Sequence, residues 1–331
     1  MSLYLQQFPT IAKKIIEDLL DNNYILTLVG GGARSLIVNE KLSNDLDFEI
    51  RLQTQNIGNL FLDKIDKTFA LLEKKNEKLK VEKLLFGGRR CQCDKFCLEF
   101  TPPRTEYYSV TSLDSYSHQD FEVEIDSALD YDKSFSRRDF TINAIGIEIK
   151  KQDNKIEEKI IDPFNGVEDL KSLTLRYINS NFFLDPVRFL RLIRFHIQKN
   201  YTIDSVIISK LTNFNLQKIS FFHYHKESSK IGFFQFSKSF YYYINKYKIP
   251  ISKEFQVLNI NYDDLDCGNA INTNDLMEVL IILAVSEKVK DVDRLIKLLS
   301  LKQSWNSTLK VLVPLINLLP SVDMEGEVGS Y

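Results

Sequence analysis

The sequence predicts an α+β protein in which a β-rich head is followed by an all-α region. Short β-rich runs alternate with helical ones over about the first 150 of 331 residues, and after Asp162 helical periodicity takes over. Hydrophobic residues make up 44% of the chain and charged residues 27%, the mix of a folded globular protein. We therefore expect a head of residues 1–150, a connection and helical neck of residues 151–250, and a short helical body of residues 251–331.

Six β-rich runs form the predicted sheet of the head. The first, YILTLV, leads directly into three glycines, and in the run FCLEFT a glutamate stands between apolar neighbours. The strands are expected at residues 24–29, 45–51, 81–86, 96–101, 122–125 and 144–149. Two helices of the head are expected near residues 8–20 and 55–79.

A helix with a clear start opens the all-α region. In the segment DPVRFLRLIRFHIQ, Asp185 is a favourable N-cap, and Pro186 suits the first helical position because the backbone N–H is not needed there. Helical periodicity dominates the rest of the chain. The further helices are expected at residues 203–212, 227–246, 275–285, 290–299 and 304–318.

Composition excludes several classes of protein. No apolar run reaches the roughly 18 residues needed to cross a bilayer. The N-terminal segment MSLYLQQFPTIAKKIIEDLL is typical of an amphipathic helix and not of a signal peptide. Four cysteines are too few for a disulfide framework in a chain of this length, and the spacing of Cys91, Cys93 and Cys97 is not that of a standard zinc pair. We expect a cytoplasmic protein that is not in a membrane.

One segment is strongly basic within an otherwise acidic chain. The net charge of the whole is −2, yet residues 186–250 contain 11 Lys+Arg and 2 Asp+Glu, a net charge of +9. A basic patch of this kind can bind the phosphates of a nucleic acid. The alternative is a set of solvated helix faces. The candidate phosphate contacts are Lys210, Lys218, Lys226, Lys230 and Lys238.

A glycine turn followed by two carboxylates is the first motif with chemical meaning. Gly30 and Gly31 follow a strand, and the free amides of a helix start favour phosphate, to which Arg34 could also donate. Asp45 and Asp47 are two apart on the next strand, so both carboxylates face one side. Such a pair needs a compensating cation, and Mg²⁺ prefers oxygen ligands. The alternative is a solvated strand end with incidental acids.

Two later segments add polar groups to this picture. Glu99 lies between apolar neighbours on a strand, where it would complete a two-metal site if it lay beside the aspartates; an exposed glutamate on a solvated face is the alternative. In SRRDFTINA, Ser136 is expected to cap a helix on which Asp139 and Asn143 share one face. Their donors and acceptors suit ribose hydroxyls, and Arg138 adds a cation.

Taken in order, the motifs GGGAR, DLD, RRDFTINA, IIDPFNGVEDL and DPVRFLRLIRF resemble one family. The series is similar to that of the class II tRNA nucleotidyltransferases and bacterial poly(A) polymerases, within the polymerase β-like nucleotidyltransferases. The resemblance covers about residues 24–245. It implies a mixed-sheet head that carries catalysis, followed by helical neck and body domains. It also implies Mg²⁺-dependent addition of nucleotides from CTP or ATP to an RNA 3′ end, here the tRNA 3′ end, and it implies no protein partner.

The resemblance also implies roles for the head residues. Carried over by position, Gly30, Gly31 and Arg34 would hold the triphosphate. Asp45 and Asp47 would bind the two metal ions. One ion would activate the RNA 3′-hydroxyl and the other would hold the triphosphate and the leaving pyrophosphate.

Sugar and base would be bound by later residues. By the same resemblance, Arg138, Asp139 and Asn143 would surround the ribose, and Asp185 and Arg188 would read the base. Cytosine and adenine both present an exocyclic amine beside a ring-nitrogen acceptor. A carboxylate accepts from the amine and a guanidinium donates to the nitrogen, whereas uracil and guanine would place an acceptor against the carboxylate.

The arginines that follow on the same helix leave two readings open. Arg191 recurs three residues after Arg188, which would place it near the same nucleotide site. Arg194 continues the series, and the alternative is therefore a basic outer face of the helix.

Three departures from the family pattern concern nucleotide selectivity. Ser35 stands where the family usually has Asp, Leu184 replaces an acid before Asp185, and the later Glu-Arg…Glu motif reads FHYHKE, with His223 in place of the arginine and Glu227 retained. The first expectation is addition of C and A to the tRNA 3′ end. The alternatives are a poly(A) polymerase, an enzyme adding only CC or only A, and a catalytically silent RNA-binding relative. The His-Asp dyad of a phosphohydrolase domain is not expected after the neck.

Overall fold

The computed structural model describes residues 4–53, 59–108 and 121–256. The helices expected at 275–285, 290–299 and 304–318, and nearly all of the expected body domain, lie outside these residues. The described chain forms two compact units. The first contains residues 4–53, 59–108, 121–182 and 201–208, and the second contains residues 183–200 and 209–256.

A mixed seven-stranded sheet forms the centre of the first unit. The strands up to residue 161 are β1 (Tyr24–Val29), β2 (Asp45–Leu52), β3 (Leu79–Lys83), β4 (Arg89–Cys93), β5 (Phe96–Thr101), β6 (Arg104–Tyr107), β7 (Glu122–Ile125), β8 (Gly146–Gln152) and β9 (Lys155–Ile161). The order in the large sheet is β3-β4-β5-β2-β1-β8-β9, and β6 pairs with β7 in a separate two-stranded sheet. Only the β2–β5 pair of the large sheet is parallel.

Sequence patterns located most of these strands. β1 and β5 have the expected bounds, and β7 is confirmed as a strand although it lies outside the large sheet. β4, β6 and β9, with the sequences RRCQC, RTEY and KIEEKII, were missed because charged residues interrupt their apolar pattern. β9 pairs with β8, so the expected end of the head at residue 150 falls inside a strand of the sheet.

Among the described residues up to 182, five α-helices accompany the sheet. They are α1 (Thr10–Asp21), α2 (Gly30–Ile37), α3 (Asn59–Lys75), α4 (Tyr131–Ser136) and α5 (Gly166–Lys171). The side of β2 that carries Leu46, Phe48 and Ile50 packs into the apolar core together with α1 and α3. Phe48 stacks on Phe100 at 5.2 Å, and Phe69 of α3 lies 5.3 Å from Phe100. One side of β2 is thus packed in the apolar core, and the other side carries polar residues.

Short strands and helices complete the described chain. They are β10 (Thr174–Leu175), α6 (Pro186–Lys199), β11 (Thr202–Ile203), α7 (Ser205–Ser209), α8 (Phe221–Ser228), α9 (Phe233–Tyr247) and α10 (Lys253–Gln256). The expectation of one helix at 227–246 was wrong. Gly232 separates α8 from α9 with a φ of 101°, a conformation that glycine adopts without the steric cost of a side chain. The helix expected at 203–212 is confined to α7 and a 3₁₀ turn at 211–213.

Aromatic rings form the core of the second unit. Phe189 of α6 contacts Phe214 at 5.3 Å and Phe240 of α9 at 5.7 Å. Tyr224 of α8 lies edge-on to Phe236 and Phe240, both at 5.1 Å. Throughout the described part of the chain, helices are too short or too polar to cross a membrane.

Candidate active site

The glycine turn lies next to one carboxylate of the predicted pair. β1 ends at Val29, which is opposite Asp47 in the register with β2, and α2 begins at Gly30. Gly30 has a φ of 65°, and a side chain there would come within 3.4 Å of the Asp47 carboxylate. Gly31 is exposed, and the nearest atom to a side chain there would be an Arg34 nitrogen at 3.9 Å. The first amides of α2 therefore open beside Asp47.

The two aspartates lie on one face of β2, as predicted. Asp45 and Asp47 are exposed while Leu46 between them is buried. Glu99 on β5 is directly opposite Asp47 in the parallel register, so a third carboxylate flanks the pair as expected. Arg90 on β4 binds Glu99 with Nε and Nη2 both 2.8 Å from Oε1. Glu99 is therefore an ion-paired, half-buried acid and not a free one on a solvated face.

The described residues contain no group of three His, Cys, Asp or Glu side chains that could by itself hold a metal ion. Two carboxylates are nevertheless a common protein contribution to a Mg²⁺ site, because substrate phosphates and water supply the other oxygen ligands. The exposed oxygens of Asp45 and Asp47 fit such a site in kind, charge and access.

The segment SRRDFTINA is organised differently from the expectation. Ser136 does not cap a following helix: it is the last residue of α4, and its hydroxyl donates to the Lys133 carbonyl at 2.7 Å. The backbone becomes extended at Phe140 and then forms a 3₁₀ turn over Thr141–Asn143. The helical face expected for Asp139 and Asn143 is therefore wrong, because the extended backbone at Phe140 interrupts the helix.

Asp139 and Asn143 nevertheless contact each other. The Asn143 amide donates to Asp139 Oδ1 at 2.7 Å, and Arg34 of α2 donates to Asn143 Oδ1. Both Asp139 and Asn143 are buried. A chain of hydrogen bonds thus joins the expected phosphate-binding arginine to the two expected ribose-binding residues.

Two adjacent arginines follow α4, and burial is the main cause of the shift in the pKa of each. Burial, with the charges of Arg104 and Arg138, lowers the pKa of Arg137 to about 9. Burial also lowers the pKa of Arg138, and the negative charges of Glu49, Asp47 and Asp139 act against that lowering. Arg138 therefore lies in the electric field of the carboxylates on β2.

A buried polar network that begins at Glu49, two residues after Asp47, was not predicted from the sequence. Glu49 accepts hydrogen bonds from Arg51 and from Ser134 of α4. Tyr131 of α4 donates to Glu148 at 2.8 Å and lies 2.6 Å from the Thr27 hydroxyl. The alternation of β2 could have indicated this network, because Glu49 and Arg51 continue the polar side of the strand after Asp47.

The start of α6 carries the expected base-reading residues. Asp185 is the N-cap, as predicted, and Oδ1 accepts from the Val187 amide at 2.9 Å. Arg188 Nε lies 3.8 Å from Asp185 Oδ2, and both side chains are buried. Asp185 therefore caps the helix through one oxygen and approaches Arg188 with the other.

The reading of the α6 arginines as an outer basic face is wrong. Arg188 and Arg194 are buried, and Arg191 is half-buried. Arg194 pairs with Glu227 of α8, whose other oxygen accepts from Lys230 at 2.8 Å. Burial alone would raise the pKa of Glu227, but the positive charges of Arg194 and Lys230 outweigh it and lower that pKa. Aromatic packing of α6 against α8 and α9 draws these arginines inward.

One departure from the family pattern, His223, and the five candidate lysines lie in the second unit. His223 contacts the α8 cap residue Ser220, with Nδ1 2.7 Å from the hydroxyl oxygen. The five candidate lysines are exposed: Lys210, Lys218, Lys226, Lys230 and Lys238. Lys230 differs from the others because its ammonium group also neutralises buried Glu227.

Residues 26–176 match a known family, the poly A polymerase head domain. This region of the chain is similar to that family over its matched length. The match contains the glycine turn, the three carboxylates and the RRDFTINA segment, so the resemblance to class II tRNA nucleotidyltransferases and poly(A) polymerases is confirmed for the head. The match also extends beyond residue 150, in agreement with the place of β9 in the sheet.

Curated relatives are similar to parts of this protein. The Multifunctional CCA protein of Xanthomonas axonopodis pv. citri is 37% identical over 100 residues, 29% of this chain and 23% of the relative. The CCA-adding enzyme of Francisella tularensis subsp. tularensis is 42% identical over 78 residues, 24% of this chain and 20% of the relative. These alignments span about a quarter of the length of the curated relatives.

Solved structures support the fold over more of the chain. A CCA-adding enzyme in apo form II is similar with a TM-score of 0.56 at 19% identity, covering 95% of this chain and 72% of that one. A CCA-adding enzyme with ATP gives a TM-score of 0.55 at 18% identity, covering 94% and 75%. The predicted α+β class with a mixed-sheet head is confirmed by these structures together with the match to the poly A polymerase head domain.

Proposed function

We propose that this protein is a template-independent nucleotidyltransferase that adds C and A residues from CTP and ATP to the 3′ end of tRNA. The observation that carries the proposal is the placement of Gly30 beside Asp47, with Glu99 in register on the next strand. The start of α2, proposed to bind phosphate, therefore lies next to an exposed carboxylate pair proposed to bind metal. The names of the relatives and of the solved structures, which include complexes with CTP and ATP, support the choice of substrates.

The carboxylate pair and the glycine turn would divide the work on the triphosphate. Asp45 and Asp47 would hold Mg²⁺, which, when bound, would neutralise phosphate charge and make the RNA 3′-hydroxyl more acidic. The amides of Gly30 and Gly31 would receive phosphate oxygens at the start of α2. Arg34 would add a cation and is already oriented by Asn143. The hydroxyl would then attack the α-phosphorus as pyrophosphate leaves.

Ribose and base would be bound by groups with limited free hydrogen-bonding capacity. Asn143 already uses its carbonyl and one N–H, which leaves one N–H for a sugar hydroxyl. Arg138 would balance the negative charge of the nucleotide near Asp139. Asp185 and Arg188 would read the amine and the ring nitrogen of cytosine or adenine, with Arg191 in support. A carboxylate that faces the carbonyl of uracil would leave two acceptors opposed.

The tRNA itself would be bound through exposed lysines of the second unit. Lys210, Lys218, Lys226 and Lys238 are exposed and belong to the segment of net charge +9. Such contacts release counterions from the phosphate backbone and therefore depend strongly on salt. We also propose that the protein works in the cytoplasm.

Poly(A) polymerase activity is the second candidate, since the matched family is described by that activity. Addition of only CC or only A is a narrower form of the first candidate. A catalytically silent RNA-binding relative is less favoured because both aspartates of β2 are present and exposed.

The deciding experiment offers three RNA primers with single labelled nucleotides. The primers are tRNA lacking CCA, tRNA lacking only the terminal A, and oligo(A). Incorporation of C and then A into the first primer, and of A into the second, supports CCA addition. Long A tails on all primers would support a poly(A) polymerase, and no incorporation with Mg²⁺ by folded protein would contradict both.

A further inference from the structure

A buried acid continues the line of carboxylates on β2. Asp45, Asp47 and Glu49 alternate on the polar side of the strand, but the first two are exposed and Glu49 has 0% exposure. Its neighbours across the sheet are Thr27 on β1 and Thr101 on β5. A carboxylate removed from water is costly unless cations or donors compensate it. The groups around Glu49 therefore indicate what it does.

Glu49 fastens α4 to the sheet. Oε1 accepts from Arg51 Nε at 2.9 Å and Nη2 at 2.6 Å, and from the Ser134 hydroxyl at 3.2 Å. Arg51 Nη2 also donates to the Ser134 hydroxyl at 3.0 Å, and Arg51 Nη1 donates to the Leu129 carbonyl just before α4. The Glu49–Arg51 pair thus holds both the approach to α4 and its middle.

The position of α4 decides where the next residues lie. α4 ends at Ser136 and is followed at once by Arg137, Arg138 and Asp139. Two adjacent guanidinium groups repel each other, and burial penalises the charge of both. Negative charge from Glu49 acts on both arginines from the sheet side, which favours their charged forms. Glu49 therefore supports Arg138 both through the backbone of α4 and through its charge.

We propose that Glu49 is a positioning residue that holds α4 and Arg138 in the arrangement that receives the nucleotide, without itself touching substrate or metal. Complete burial argues against a metal ligand, since the neighbouring Asp47 is open and Glu49 is not. The inference rests on the proposed function, because it assigns Arg138 to the nucleotide site. It goes beyond that function by naming a residue that acts through another.

The first test is Glu49→Gln, which keeps the shape of the side chain and removes its charge. We expect the KM for ATP and CTP to rise about tenfold while kcat stays within about threefold, the pattern of lost nucleotide binding. An unchanged KM in folded protein would overturn the proposal. A large fall in kcat at unchanged KM would also overturn it, because that would place Glu49 in the chemical step.

A second variant separates Arg138 from Arg51. Glu49→Gln leaves Arg51 buried without its carboxylate, whereas the double variant Glu49→Gln/Arg51→Leu removes the pair, a change that buried ion pairs often tolerate. The KM should stay raised in the double variant. A return to the wild-type KM would mean that the stranded Arg51 had caused the effect, and the proposal would fail.

A double-mutant cycle tests whether Glu49 acts through Arg138. In an Arg138→Gln background, Glu49→Gln should raise the KM less than twofold further, because the guanidinium group that Glu49 positions is already absent. Full additivity of the two effects would overturn the proposal. The matched control is Asp66→Asn, which takes the carboxylate from another buried arginine, Arg89. An equal rise in KM in the control would show a general loss of stability, and the assignment would fail.

A separate measurement distinguishes this inference from the proposed function. Each variant is titrated with ATP, and the change in intrinsic fluorescence gives the Kd for ATP. If the wild type binds ATP but transfers no nucleotide to any primer, the proposed function fails, and a tenfold weaker Kd in Glu49→Gln still supports the inference. If the wild type transfers nucleotide and Glu49→Gln matches it in Kd and KM, only the inference fails. A wild type that does not bind ATP overturns both.

Discussion

The start of β2 and the start of α6 present carboxylates in opposite ways. Asp45 and Asp47 are exposed at the beginning of β2, and Gly30 at the start of α2 lies beside Asp47. Asp185 and Arg188 come from one turn of one helix, are buried, and contact each other. An exposed pair of carboxylates can bind a cation from solution. A buried carboxylate that caps a helix uses one oxygen for the cap, and only the other oxygen can contact a ligand. The residues proposed for chemistry and those proposed for base selectivity therefore lie in structurally different settings.

The buried ion network behind α6 should give the largest effect, on stability. Glu227→Gln leaves Arg194 and Lys230 without their carboxylate, and breaking a buried pair costs about 3–5 kcal/mol of unfolding free energy. Urea unfolding at neutral pH measures it. Glu157→Gln, which breaks the exposed pair with Lys150, should cost at most about 1 kcal/mol. Equal costs for the two variants would contradict the contrast between buried and exposed charges.

The same network predicts a pH dependence. The pKa of folded Glu227 is lowered, so the stability it provides is complete above its ordinary pKa of about 4.3 and is lost as the pH falls through the lowered value. Unfolding free energy should therefore fall more steeply between neutral pH and pH 3 in the wild type than in Glu227→Gln. Parallel pH profiles would show that Glu227 is not the group responsible.

At the start of β2, a substitution should lower the reaction rate and leave the stability of the fold intact. Asp47→Asn should lower kcat about 10²–10³-fold, the usual effect of removing one group that stabilises charge in a transition state. Because Asp47 is exposed next to other acids, the unfolding free energy should stay within about 0.5 kcal/mol of the wild type. Single-turnover incorporation and urea unfolding measure the two quantities. Turnover like that of the wild type would falsify the site assignment.

At the start of α6, substitution should change selectivity. Asp185→Ser keeps a helix cap but removes the carboxylate, so relative use of UTP should rise about tenfold. Competition between CTP and UTP measures it, and Asp204→Ser, which alters another acid of the chain, is the control. If Asp185→Ser keeps the wild-type preference, Asp185 is only a cap.

Salt dependence should distinguish the lysines by a smaller margin. Replacing Lys226 by Gln should reduce the slope of log affinity for tRNA against log salt concentration by about 1, because one phosphate contact is lost. Lys230→Gln should reduce it less, since that ammonium group already neutralises Glu227. A wild-type affinity that does not change with salt would contradict binding through this segment.

Sequence reasoning succeeded where the cause of a structure lies within a few residues. The apolar run of β1, the alternation around Asp47 and the Asp-Pro start of α6 each predict their element from local chemistry. It failed for Ser136 because the helix that this residue belongs to precedes it. It also joined α8 and α9, since periodicity does not record a glycine with positive φ.

The sequence by itself determined the alternation of β2, the glycine turn, the cap of α6 and, through the series of motifs, the family of the head. Only the tertiary structure decided that Glu49 is buried against Ser134, 85 residues away, and that Arg194 turns inward to Glu227, 33 residues away. The physical reason is that a strand or helix pattern depends on neighbours in the chain. The partner of a buried charge depends instead on which distant segment packs over it, because a charge withdrawn from water must be compensated by whatever lies there.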